Sequence, residues 1–235
     1  AGFGGGTIAL GRAAGFLALW ACLAFARTGR ILHLVPAGAG AVAALFSGSR
    51  GPLAGLLVGL VLGLAGPHLA GPRLAARGRL LAAAGGALLA VNLCLALGPS
   101  GSLRRVQAFV QGEYGASEAY RASAARAAWE HIQVAPFGIG LGGFATRVDL
   151  DAGVDRQYPH DLLLETALES GWASGVATLG ILAAALARAW RTGQGALAAA
   201  LGFWVLNALV SGDLNDNRAL LALLSTALAL PGGRP

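Results

Sequence analysis

The chain has 235 residues, 56% of them hydrophobic and only 12% charged, with a mean hydropathy of +0.65, which excludes an ordinary soluble domain and places it in a membrane. Its formal charge of +6 does not make it a nucleic-acid binder, because the 17 basic residues, all Arg, stand mainly between apolar stretches instead of clustering on one exposed face. Gly 37 without a collagen period, with only Pro 9, excludes a fibrous or disordered chain and fits helices packed closely through small residues.

The chain begins with Ala1 and contains no Met, so it is expected to be a portion of something longer. The glycine-rich start has no basic segment followed by a cleavage site and does not read as a secretory signal. A first span is predicted around Thr7 to Ala26, where Arg12 lies near one end and can snorkel to the interface. Ile31 to Ser49 follows, bounded by Arg. Gly51 to Pro72, Leu80 to Leu103 and Thr192 to Gly212 are free of Asp, Glu and Arg and long enough to cross about 30 Å of hydrocarbon. Ser170 to Ala187 is slightly shorter, and Ala219 to Leu230 is short for a full span. Cys22 and Cys94 sit inside apolar runs and read as packing residues, not a disulfide framework.

These segments predict an all-α, polytopic integral membrane protein of about six to seven transmembrane helices with one long extracytoplasmic loop. The expected division is 1–103, N-terminal transmembrane helices; 104–159, extracytoplasmic loop with an amphipathic helix; and 160–235, C-terminal transmembrane helices. Orientation follows from Arg in the short connections. One set of alternate loops holds Arg27, Arg30, Arg73, Arg77, Arg79, Arg188, Arg191 and Arg234, and the opposite set only Arg12, Arg50 and Arg218 outside the long loop. The first set is expected in the cytoplasm. Arg50, the stretch from Arg104 to Glu169 and the turn from Asp213 to Arg218 then share the outer face.

The long stretch holds more than half of the chain's charges, as expected of the part lying in water. Within it, Glu118 to Val134 places Arg121, Ala125, Trp129 and Ile132 at helical spacing and reads as an amphipathic helix at the interface, stopped by Pro136. Next comes Pro136-Phe137-Gly138-Ile139-Gly140-Leu141-Gly142-Gly143-Phe144. With no βαβ pattern around it, it is not a dinucleotide fingerprint. It reads either as plain turn chemistry or as an interfacial turn whose backbone N–H groups can approach an anion.

Tyr158-Pro159-His160-Asp161 closes the loop, and Leu162 to Gly171 begins the next helix. His160 therefore sits near a helix N-terminus, where Asp161 suits the dipole and an imidazole can serve as base. Glu165 and Glu169, four apart, share a helical face; either is an alternative base, with His160 orienting it. A solvated or capping role is the plain alternative for His160, and the His160–Glu165 spacing is not a zinc motif. His33, His68 and His131 read as structural. Arg50, between Ser49 and Gly51, is either an interfacial anchor or a guanidinium with an anionic partner, which Asp213 or Asp216 could supply unless that turn merely ends helices.

Taken in order, Ser49-Arg50-Gly51 before a span, Arg121 fifteen residues ahead of Pro136, the Pro136 to Gly142 run and His160-Asp161 followed by Glu169-Ser170-Gly171 resemble the O-antigen ligase and O-antigen polymerase superfamily. The resemblance covers approximately Phe46 to the C-terminus. In the ligase pattern, His is followed by Asn, Ser or Gln, after nine residues by Gly, and three further on by Gly, Thr or Tyr. Here Asp161 replaces the second member, Gly171 matches, and Ser174 replaces the last, with Gly175 next.

The resemblance implies a bacterial inner-membrane glycosyltransferase of polysaccharide or lipopolysaccharide biosynthesis, with its active site on the extracytoplasmic face. It would move a glycan from an undecaprenyl-diphosphate carrier to a sugar, lipid or protein hydroxyl without metal or other cofactor. It casts Arg50 and Arg121 as the diphosphate holders and His160 as the base. Arg126, Gly138, Gly140, Glu165, Glu169 and Asp213 complete the candidate substrate-binding set, although Arg126, one and a half turns beyond Arg121, is expected to point elsewhere. A non-enzymatic export or headgroup-binding module is the rival reading. It could use the same arginines but needs no base at His160.

Overall fold

The computed structural model describes residues 4–66, 74–96, 111, 116–148, 150, 157–211 and 214–231. Among the described residues the chain is helical without strands: α1 (Gly4–Thr28), α2 (Leu34–Phe46), α3 (Arg50–Ala65), α4 (Leu74–Ala96), α5 (Ala116–Val134), α6 (Gly143–Arg147), α7 (Leu162–Ser170), α8 (Trp172–Arg191), α9 (Gly195–Val210) and α10 (Arg218–Ala229), with 3-10 turns at Ile31–His33 and Leu214–Asn217.

Among the described residues two helices, α1 from Ile8 to Thr28 and α8, are long and apolar enough to cross a bilayer. Ile31–Phe46, α3, α9 and α10 are apolar but shorter. At about 1.5 Å per residue, the 16 residues of α3 or α9 reach only about 24 Å, less than the hydrocarbon thickness. The window at Leu80 is corrected: α4 starts six residues earlier and takes Arg77 and Arg79 into its first turns.

The bundle's main core draws on α1, α2, α3, α4, α8, α9 and α10 and consists mostly of Ala and Leu, with Phe25, Phe203 and Trp204. Between helices in lipid no hydrophobic force remains to be gained, so close backbone approach must supply the attraction. α3 meets this with Gly51, Gly55, Gly59 and Gly63, one every four residues and all buried. A Cβ at Gly55 would come within 3.0 Å of the Phe203 carbonyl, and one at Gly59 within 3.1 Å of that of Ala199, so α3 and α9 pack backbone to backbone. Pro52 lies in the first turn of α3, where a helix tolerates a missing N–H. Gly40 of α2 does the same against α1, where a Cβ would stand 2.6 Å from the Ala14 carbonyl.

The bundle has two chemically distinct ends. At one, Arg188 donates to the Leu230 carbonyl from both Nε and a terminal nitrogen, tying α8 to the end of α10, and Gly29 after α1 lies against Arg79. At the other, Gly11 of α1 packs on Ser47 and Pro52, and Gly51 on Asn207 and Val210. Here Arg12 is a second correction. It is 4% exposed and does not snorkel. Its guanidinium donates to the Ser211 carbonyl at 2.5 Å and stands 3.9 Å from Asp216, joining α1 to the segment between α9 and α10.

A second, smaller core joins Ala124, Ala128 and Ile132 of α5 to Ile139, Phe144, Val148 and Leu168. α7 belongs to both cores, since Leu162 and Leu163 face the bundle and Leu164, Ala167 and Leu168 face the smaller cluster.

Candidate active site around His160

α5 forms where expected. Its inward ridge Tyr120-Ala124-Ala128-Ile132 repeats every four residues, and the helix ends two residues before Pro136. Arg121 flanks that ridge and is half-buried, whereas Arg126 is exposed.

The glycine run then turns back onto α7. Gly138, Gly140 and Gly142 all have positive φ, at 89°, 93° and 70°, which glycine adopts without steric cost. The backbone N–H of Ile139 donates to the Leu168 carbonyl at 2.9 Å and that of Gly140 to the Glu169 carbonyl at 3.0 Å, satisfying orphan acceptors at the end of α7. Gly138 donates to Ala135 and Gly143 to Gly140. This corrects the reading of Gly138 and Gly140 as backbone donors to an anion, because those amides are engaged by the protein's own carbonyls. The run is a docking turn that caps α7.

Gly171 completes the joint and corrects the expectation of one continuous helix after His160. At φ 93° it separates α7 from α8, and a Cβ there would meet the Pro136 carbonyl at 2.9 Å. Trp172 N–H donates to that carbonyl at 3.2 Å.

At the other end of α7, Asp161 is the N-cap; its Oδ1 accepts from the N–H groups of Leu163 at 2.8 Å and Leu164 at 3.0 Å. Burial holds its carboxyl above the ordinary value, opposed by those two hydrogen bonds. His160 has φ 60° and is the one non-glycine residue with positive φ among those described, a conformation costing about 1–3 kcal/mol that clusters at functional sites. Its imidazole is half-buried between two phenols. The Tyr158 ring centroid is 4.0 Å away with planes at 42°, and the Tyr120 ring meets it edge-on at 5.7 Å and 83°. Burial raises the Tyr120 phenol above its ordinary value, partly offset by the nearby Tyr158 backbone, so it stays protonated near neutrality.

The structure thus brings His160, the Arg121-bearing helix, the glycine turn and α7 into one unit. Glu165 and Glu169 share the predicted face but are 4% and 8% exposed. Arg50 is the half-buried first residue of α3, in the bundle end that also holds Arg12, Ser211 and Asp216. Asp213 lies outside the described residues. His131 is structural, its Nδ1 2.9 Å from the Ala127 carbonyl in its own helix. Among the described residues no group of three His, Cys, Asp or Glu is arranged to hold a metal. Sequence reasoning missed Tyr120 and Tyr158; the Tyr-Pro-His sequence was the available signal for the second.

The family model for O-antigen ligase matches residues 35–179. The chain belongs to the O-antigen ligase family. It is accordingly an inner-membrane glycosyltransferase of the ligase or polymerase type, acting between a lipid-linked glycan donor and an acceptor. The matched stretch contains Arg50, Arg121, the glycine turn and His160. No curated protein and no solved structure matches the chain.

The geometry also explains how this chain departs from the ligase pattern. Asp161 caps a helix, a task that Asn and Ser perform equally well, so the replacement keeps the physical role. Gly171 is required by its φ and by contact with the glycine turn. Gly175 is buried where a Cβ would stand 2.7 Å from that of Ala167, and Ser174 turns its hydroxyl back to the Ser170 carbonyl at 2.9 Å.

Proposed function

We propose that this O-antigen ligase family member transfers a glycan from undecaprenyl diphosphate to an acceptor hydroxyl at the extracytoplasmic face of the inner membrane. The loop 104–159 would lie outside, between two multi-pass parts, 1–103 and 160–235. His160 accepts the hydroxyl proton as the acceptor oxygen bonds to the anomeric carbon. The bond from that carbon to the diphosphate oxygen breaks with its electron pair, which departs on the carrier. Arg50 and Arg121 neutralise the leaving diphosphate through their forked N–H donors, with no metal ion.

The observation that carries this reading is the ring contact between Tyr120 and His160, which sets the helix bearing Arg121 against the strained start of α7. Two features support it. The face opposite the ends of α1, α8 and α10, where Arg27, Arg79, Arg188 and Arg191 gather, suits the outer side. An apolar groove of about 570 Å³ between Trp129, Ile132, Leu163, Leu164, Trp172 and Leu179 opens beside the site and suits a polyprenyl chain.

The test is complementation of cells lacking the gene. Those cells should accumulate carrier-linked glycan, the native chain should clear it, and His160→Ala should restore membrane insertion but lower transfer by about 10²–10⁴-fold. Arg121→Ala should be impaired more than Arg121→Lys, Arg126→Ala should remain near wild type, and EDTA should leave the rate unchanged. Equal losses at positions 121 and 126 would indicate a general effect on α5, and near-normal transfer by His160→Ala would remove the base assignment.

A further inference from the structure

We propose that Tyr120 and Tyr158 are positioning residues for His160, holding its imidazole toward the acceptor, and that the Tyr158 ring also favours the protonated imidazole that proton removal creates. The proposal rests on the reading of His160 as base and goes beyond it by naming what holds that base.

A residue at φ 60° persists only where its surroundings over-determine it. The residues around His160 come from two directions. Asp161, next in the chain, is fixed by two hydrogen bonds to the first turn of α7, which leaves the side chain of His160 to be oriented from outside the helix. Tyr158 covers the imidazole at 4.0 Å from the loop side. Tyr120 meets it edge-on from α5 and is packed against the same small core that anchors α7. One ring tilted at 42° to the imidazole and a second edge-on at 83° leave it few rotamers, and a base held in register avoids the loss that a displacement of about 1 Å brings, roughly 10²-fold.

The Tyr158 face adds a second effect. The face of an aromatic ring attracts a cation more strongly than a neutral group, so the imidazolium formed as the acceptor loses its proton gains more from the Tyr158 ring that covers it at 4.0 Å than the resting imidazole does. Interactions stronger in the transition state than in the ground state appear in kcat, not in donor binding. Because the rings act by shape and π density, Phe should replace Tyr at both positions with little loss.

The experiment uses the full chain in detergent, with carrier-linked glycan extracted from cells lacking the gene as donor. Tyr158 lies in the loop outside the small core, so Tyr158→Leu is the decisive variant, with Tyr120→Leu beside it. Expected are a fall in kcat of about 10-fold or more for Tyr158→Leu with KM for the donor within about twofold, rates within about twofold of wild type for Tyr158→Phe and Tyr120→Phe, and no further loss when Tyr158→Leu is added to His160→Ala. Unchanged kcat in Tyr158→Leu, a loss confined to KM, or a full additional loss in the His160→Ala background would overturn the proposal. Near-normal transfer by His160→Ala alone defeats the base assignment instead, and is a separate result from any of these.

Discussion

The bundle and the unit around His160 solve the same problem, holding helices together, by opposite means. Along its middle the bundle relies on glycine to bring backbones close, with Gly55 and Gly59 admitting the carbonyls of Phe203 and Ala199, while its polar ties, Arg12 to Ser211 and Arg188 to Leu230, stand at the two ends. The His160 unit relies on directed hydrogen bonds, with the glycine turn donating to the end of α7 and Asp161 accepting at its start. Close packing is cheap to build from small residues and tolerates no added atom. Hydrogen-bonded joints can hold a residue in a strained conformation, and His160 stands at such a joint. The difference teaches that strain for chemistry resides where polar anchors can enforce it, while the lipid-facing part stays regular.

The strongest way to break this contrast is in the glycine turn. Gly138→Ala places a Cβ 2.5 Å from the Glu169 carbonyl and 2.6 Å from the Gly171 nitrogen at a φ of 89°, so the turn must leave α7 at a cost above about 2 kcal/mol. Transfer should be lost and proteolysis between Arg121 and Arg147 accelerated while the bundle's Tm holds. Gly140→Ala has a similar φ but nothing within 4 Å, and should cost only about 1 kcal/mol. Equal damage from both would mean that φ strain, not docking, governs the joint.

In the bundle, Gly55→Ala should cost about 1–2 kcal/mol by forcing α3 from α9, read as a lower Tm in detergent for the whole chain. Gly86→Ala on α4 meets nothing within 4 Å and should be neutral or stabilising by up to about 1 kcal/mol. A local response to Gly55→Ala, with the rest of the bundle intact, would end the view of one cooperative packed core.

The smallest effect is expected at Asp161. Asp161→Asn keeps the cap and should be close to neutral, while Asp161→Ala should lose about 1 kcal/mol. Because burial raises this carboxyl, the folded chain holds its proton more tightly than the unfolded chain does. Asp161's contribution is therefore fully present below the ordinary carboxylate pKa and declines as pH rises through the raised one. Denaturant titrations across the acid range should show that decline in the native chain and not in Asp161→Asn.

Much of the architecture was legible because it is local. The ridge of α5, its stop before Pro136, the apolar helices and the placement of His160 at a helix start all follow from residues within a few positions of one another. The order of Ser49-Arg50-Gly51, Arg121, the Pro136 to Gly142 run and His160 with Gly171 together carried the family. Other features escaped because their cause is distant in the chain. Nothing near Arg12 announces that its guanidinium reaches Ser211, 199 residues away, so a lone Arg in a span reads as a snorkelling side chain. Gly171 inside an apolar run reads as a tolerated helical glycine until the Pro136 to Gly143 turn is seen packed upon it.

The sequence by itself determined that this is a helical membrane protein with more than half of its charges between Arg104 and Glu169, since composition and apolar run length decide how a chain partitions between water and lipid. It also determined the residue order that marks the O-antigen ligase family. Only the tertiary structure decided that the glycine run caps α7 instead of offering its amides to an anion, and that Tyr120 and Tyr158 enclose His160. Backbone donors and aromatic faces carry no partner in their sequence. What they bind depends on which helix ends and which rings the fold brings within 3 to 6 Å of them.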